Sequence, residues 1–149
     1  MPYLEIDGKQ LEARTDFKFD RVANEKYNEP DAKGNTLGGL MNIYMNLLEY
    51  DTGYLLAFWD CALSHLKKDK PALDKIEEAL MERIEQDGDT EKLFKEAFSK
   101  LDTSGFFKKK VKSFWKDFEA MGKVGNKEEQ KQNKEMLDRM KQRRNELTA

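Results

Sequence analysis

Apolar residues along this chain keep two different spacings. Near the start they alternate with charge: Leu4 and Ile6 with Glu5 and Asp7, then Leu11 and Ala13 with Glu12 and Arg14. A period of two puts one set on one face of a strand. Asp7-Gly8 lies between the runs, and Gly supplies the positive φ that a tight hairpin turn requires. The pattern predicts a β-hairpin over about residues 3–14. Two strands alone are marginal in water, so the hairpin should lay Leu4, Ile6, Leu11 and Ala13 on the elements that follow.

Beyond it the spacing becomes helical. Phe19, Val22, Ala23 and Tyr27 share one face, with Asp16 placed to accept from the free amides of the first turn. Pro30, Gly34 and the neighbouring Asn and Asp residues make a loop. A second helix, capped by Thr36, carries Leu37, Leu40, Met41, Tyr44 and Leu48. Gly38 and Gly39 in its first turn weaken it by about 1 kcal/mol each relative to Ala. They are expected where another helix comes close. After Asp51-Thr52-Gly53, the third helix bears Leu55, Phe58, Trp59, Ala62 and Leu66, broadened by Leu56 and Leu63. That width marks it as the central, most buried helix.

Pro71 suits the first position of a fourth helix, where its missing donor costs nothing. Its face is Leu73, Ile76, Leu80 and Ile84, and Gly88 ends it. Asp89 or Thr90 caps a fifth, with Phe94, Ala97, Phe98 and Leu101. A sixth carries Phe107, Val111, Phe114, Phe118 and Met121. The pattern then fades. Residues 123–149 hold mainly Val124, Met136, Leu137, Met140 and Leu147 among Lys, Arg, Glu, Gln and Asn. Such a segment cannot bury enough surface to offset its ordering entropy. The expected fold is mainly α: a compact domain of about six helices with the hairpin over residues 1–122, then a charged, flexible or partly helical tail. Nascent helix is expected from about Glu128 to Leu147, outside the packed core.

Composition narrows the function. Apolar and charged residues are each 38%, and the net charge is −2, so there is no overall basic field for nucleic acid. The one cysteine, Cys61, forms no intramolecular disulfide and suits a reducing compartment. No apolar run approaches the roughly 20 residues of a membrane span. Met1-Pro2-Tyr3-Leu4-Glu5 does not read as a secretory signal. The chain is expected to be soluble and intracellular, with no membrane partner.

Catalytic chemistry finds no foothold. Cys61 and His65, at i and i+4, would make half a metal site, but His65 is the only histidine and Cys61 the only cysteine. Asp74, Glu77, Glu78, Glu82 and Glu85 among Lys75 and Arg83 are the pattern of a solvated helix face laced with ion pairs. No serine sits in a G-x-S-x-G elbow. Gly34–Gly39 lacks the Lys-Ser/Thr ending of a phosphate loop. The expectation is a protein that is not an enzyme and takes no cofactor or metal.

The local feature that invites a partner is Phe106-Phe107-Lys108-Lys109-Lys110-Val111-Lys112, continuing to Phe114-Trp115-Lys116. Phe107, Val111, Phe114 and Phe118 share a core-facing stripe, which leaves the lysines solvated. Phe106 and Trp115 fall off that stripe. If exposed they are protein-docking anchors, because aromatics concentrate interface energy. Candidate partner-binding residues are therefore Phe106, Phe107, Lys108, Lys109, Lys110, Lys112, Trp115 and Lys116. Basic residues interleaved with aromatics also suit nucleic acid, which makes the Lys108–Lys116 patch of a small regulatory protein the alternative. Met41, Met45, Met81 and Met121 could supply adaptable contacts or fill core gaps.

The order of several segments resembles a known family. Ile6-Asp7-Gly8-Lys9 leads into Phe17-Lys18-Phe19-Asp20, then Gly38-Gly39-Leu40 with Tyr44 and Leu48. Asp51 and a helix ending Ala62-Leu63 follow, then Leu93-Phe94-Lys95-Glu96 and Ser104-Gly105-Phe106-Phe107-Lys108. From about Tyr3 to Met121 the chain is similar to the tail assembly chaperones of long-tailed bacteriophages and prophages of Gram-positive bacteria. The resemblance implies a non-enzymatic protein of the host cytoplasm, absent from the mature virion. It would coat the long, helical, aggregation-prone tape-measure protein before the tail tube grows around it. It further implies tail tube protein as a partner, a longer frameshifted form of the same chain, and self-association. The family has no catalytic residues to carry over.

Overall fold

A computed structural model describes residues 2–149. Strands β1 (Tyr3–Ile6) and β2 (Lys9–Glu12) pair antiparallel, Leu4 opposite Leu11. Asp7 and Gly8 take φ of 51° and 77°, the left-handed pair that a two-residue turn demands. Leu4, Ile6 and Ala13 are buried and Leu11 is half-buried. The hairpin rests on a helix, as its marginal stability requires, with β1 against α4.

Among the described residues seven α-helices follow: α1 (Phe17–Lys26), α2 (Gly39–Leu48), α3 (Gly53–Ala62), α4 (Leu73–Asp87), α5 (Glu91–Asp102), α6 (Lys108–Met121) and α7 (Lys127–Thr148). Asp16 caps α1 as the sequence predicts, its Oδ1 accepting from the amides of Lys18 and Phe19. Helices α2 and α3 form the interior, packed on each other and on α1 and α5. Leu40, Ile43, Tyr44, Leu47, Phe58, Trp59 and Leu63 are fully enclosed there.

Three predicted details are corrected. Helix α2 begins at Gly39 without a cap from Thr36, which pairs with Pro30 in an isolated bridge, and Leu37 is exposed. The free amides of Gly38 and Gly39 are satisfied by Asn28, just past the end of α1, and by Asn24 within it. The expected close approach is real: a Cβ on Gly39 would lie 2.0 Å from the Ala23 carbonyl oxygen. The third helix stops at Ala62, before the predicted Leu66. The Ser64 hydroxyl donates back to the Asp60 carbonyl at 2.8 Å, a bond that bends helices. The chain continues as a tighter 3₁₀ segment, Ser64–Asp69, with Lys67 at φ 56°.

The third correction is the largest. The segment expected to stay outside the packed core contains α7, which lies on α5, α6 and α2 with Leu137, Met140 and Leu147 buried. Its extent agrees with the anticipated 128–147 helix, but its apolar residues are enclosed. Few as they are, they fall on one face, and that face meets partners whose polar groups are also matched.

Candidate partner-binding surface

Helix α6 brings the predicted binding segment to the surface in part. Lys108, Lys109, Lys110, Lys112 and Lys116 are all exposed. Phe107 and Val111 are buried, Phe114 and Phe118 half-buried, and Met121 exposed. Phe106 is 42% exposed, and its ring meets Phe17 edge-on at 4.8 Å. Phe17, 74% exposed, is the most open aromatic on this face. The stripe of α1 foreshadows it: Phe17 precedes the buried face begun by Phe19. Two neighbouring aromatic rings left in water, beside a row of lysines, form the exposed part of the candidate surface.

Trp115 is not an exposed anchor. It is 6% exposed and its indole N–H donates to the Tyr44 hydroxyl at 2.7 Å. Tyr44 in turn donates to Asp102 Oδ1 at 2.6 Å, and Arg144 Nε donates to the same oxygen at 3.0 Å. The Arg144 guanidinium also lies over the Trp115 ring, 4.9 Å from its centre. Burial, then the bond to Asp102, pushes the Tyr44 hydroxyl well above its ordinary pKa. One chain of donors thus links α6, α2, α5 and α7. No helical periodicity reveals it, because it depends on which helices become neighbours.

Helix α7 lies in a groove with an acidic rim. Arg143 Nη1 is 3.2 Å from both the Leu48 carbonyl and Glu49 Oε2, and its guanidinium covers the Tyr50 ring at 5.3 Å. Lys141 Nζ lies 2.7 Å from Glu119 Oε1. Hydrogen bonding and charge from Lys141 hold the Glu119 carboxyl below its ordinary range. Ser99 donates to the Leu147 carbonyl at 2.9 Å.

A second polar cluster sits deeper. Asp60 is 1% exposed and receives Lys26 at 3.1 Å, the Tyr27 hydroxyl at 2.7 Å, and Lys70. Burial raises its carboxyl, but the bonds from Lys70, Tyr27 and Lys26 outweigh that and hold it below 3.8. Tyr27 is correspondingly raised by burial and by Asp60. A buried charge with this many donors is satisfied, which suits a tie between α1, α3 and the turn before α4.

His65 and Cys61 go separate ways. The His65 Nε2–H donates to the Glu12 carbonyl at 2.8 Å and ties the hairpin to the 3₁₀ segment. Cys61 is buried, and burial then the Asp60 charge push its thiol up, away from reactivity. Among the described residues no three His, Cys, Asp or Glu side chains converge as metal ligands, and no helix is long and apolar enough to cross a membrane.

One family profile, described as phage tail assembly chaperone protein, TAC, matches residues 3–116. No curated protein and no solved structure matches the chain.

Proposed function

The chain belongs to the phage tail assembly chaperone family, and from that premise we propose that it binds the tape-measure protein while a long tail is built. In this reading it is a non-enzymatic module of the host cytoplasm. It shields an extended amphipathic helix, helps to bring in tail tube subunits, and leaves as the tube grows. A longer frameshifted form and self-association belong to the same reading.

The observation that carries the proposal is the exposed Phe17–Phe106 pair beside the exposed lysines of α6. Paired rings in water are costly unless something covers them, and aromatics rimmed by charge suit an amphipathic helix. Co-expression with the tape-measure protein tests it. The partner should become soluble and co-purify with the wild-type chain, and it should precipitate with a Phe17→Ser, Phe106→Ser double variant that remains folded. Trp115 is left intact in this test, because its bond to Tyr44 makes it part of the fold.

Nucleic acid is the alternative that the same lysines invite. Stacking needs an open ring, and with Trp115 enclosed only Phe106 and its neighbour Phe17 would serve it here. Salt-dependent binding to a DNA oligonucleotide, with no solubilisation of the tape measure, would favour that alternative.

A further inference from the structure

The seat of α7 has the chemistry of a docking groove more than that of a core. Every ion pair identified across it runs the same way: the acids Glu49, Asp102 and Glu119 belong to the body, and the bases Arg143, Arg144 and Lys141 to α7. Only Leu137, Met140 and Leu147 of the 22 residues are buried. Clefts open to solvent flank the buried row of α7. A cleft of about 310 Å³ opens beside Leu147, lined by Tyr50, Phe94, Lys95 and Glu146. Another of about 430 Å³ opens beside Leu137, between Glu119 and Lys134. The link before α7, residues 122–126, passes through Gly125 at φ 95°. The residues matched by the family profile end at 116. They include Glu49, Tyr50, Phe94, Asp102 and Trp115, so they build most of the seat and none of its occupant.

We propose that this groove receives an amphipathic helix of the partner and that α7 is a stand-in, held there in cis until displaced. Helix α7 writes the recognition pattern: Leu or Met at i and i+3, and Lys or Arg at i+4, i+6 and i+7, read from Leu137, Met140, Lys141, Arg143 and Arg144. The ligand class is a basic amphipathic helix, set by the acidic rim and the aromatic floor of Tyr50 and Trp115. This rests on the tape-measure reading only for which protein supplies that helix. Displacement in cis lowers apparent affinity by the fraction of time the seat is filled, so loosening α7 must tighten binding.

The test uses the full chain, wild type and a Leu137→Glu, Met140→Glu variant. An Arg143→Glu, Arg144→Glu variant loosens α7 through charge alone. Amide exchange in α3 checks that each is folded. The probes are a labelled peptide of residues 127–148 and tape-measure segments bearing the pattern. Both loosened variants should bind the peptide at least tenfold more tightly than wild type does. A tape-measure segment should show the same gain, and its binding to wild type should raise exchange in residues 127–148. Equal peptide affinity for all three forms, or unchanged protection of α7 in the tape-measure complex, overturns the proposal. So does a wild-type dimer by light scattering that disappears in both loosened variants, because the occupant would then be a second copy. If the peptide binds the loosened forms while no tape-measure segment binds any form, the groove stands and the tape-measure reading falls.

Discussion

Seven of the ten residues of α3 are buried, against three of the twenty-two of α7. Helix α3 is held by apolar enclosure on several sides, with Asp60 the one charge admitted and fully partnered. Helix α7 is held along one edge, by a thin apolar row and a set of arginine and lysine contacts at a half-exposed rim. The difference shows what each kind of attachment allows. Enclosure fixes an element for as long as the protein is folded. An edge of a few anchors can open while the rest stays native, which is the low-stability class from which moving elements are drawn.

The strongest way to break the contrast is to attack the enclosure. Phe58→Ala should cost about 3–5 kcal/mol, because a fully buried ring leaves a cavity. Urea denaturation followed by circular dichroism should show one transition shifted for the whole molecule. Asp60→Ala should come next, at about 3 kcal/mol, the low end for a broken buried pair because the Lys26 ammonium regains water. Its carboxyl is depressed in the fold, so its contribution is complete at neutral pH and disappears as pH falls below 3.8 through the folded-state value. From there to about pH 9, below the tyrosine and lysine range, the gap between variant and wild type should stay constant, and acid titration of both checks it.

Arg144→Ala should have a smaller and local effect. It removes a charged bond to Asp102, worth about 1.5–3 kcal/mol, and the cation over Trp115. Hydrogen exchange should rise in 127–148 with little change in α3. A uniform rise through both helices would erase the distinction. Phe17→Ser should be the mildest for stability, within about 0.5 kcal/mol, since the ring is mostly in water. Its effect should appear only in solubilisation of the tape-measure protein.

The contrast also explains what the sequence made legible. The hairpin was readable because alternation and Asp7-Gly8 agree, and α3 because its apolar face is wide. The caps of α2 were not, because they come from Asn24 in α1 and Asn28 just beyond it, 15 and 10 residues back in the chain from the amides they meet. Trp115 was misplaced because spacing alone does not distinguish the Phe114 side of α6 from the Trp115 side. Tyr44 and Asp102, far along the chain, decide it. Helix α7 was legible as a helix and illegible as a packed one. Its mean composition is polar, and three buried residues do not alter an average. At the candidate surface, the sequence points to Phe106 and five lysines, which are exposed, and to Phe107, which is buried; Phe17 carries no signal beyond its place ahead of the α1 stripe.

The two tryptophans occupy opposite sides of this contrast. Trp59 is sealed in α3 with its indole N–H unpartnered, and Trp115 lies beneath the Arg144 guanidinium at the seat of α7. Each therefore glows in its own surroundings, one answering to the interior and the other to whether the last helix is in place. A Trp59→Phe chain would leave Trp115, at the groove, as its single tryptophan. The protein thus comes with a built-in optical gauge, needing no dye, that separates release of α7 from unfolding of the whole.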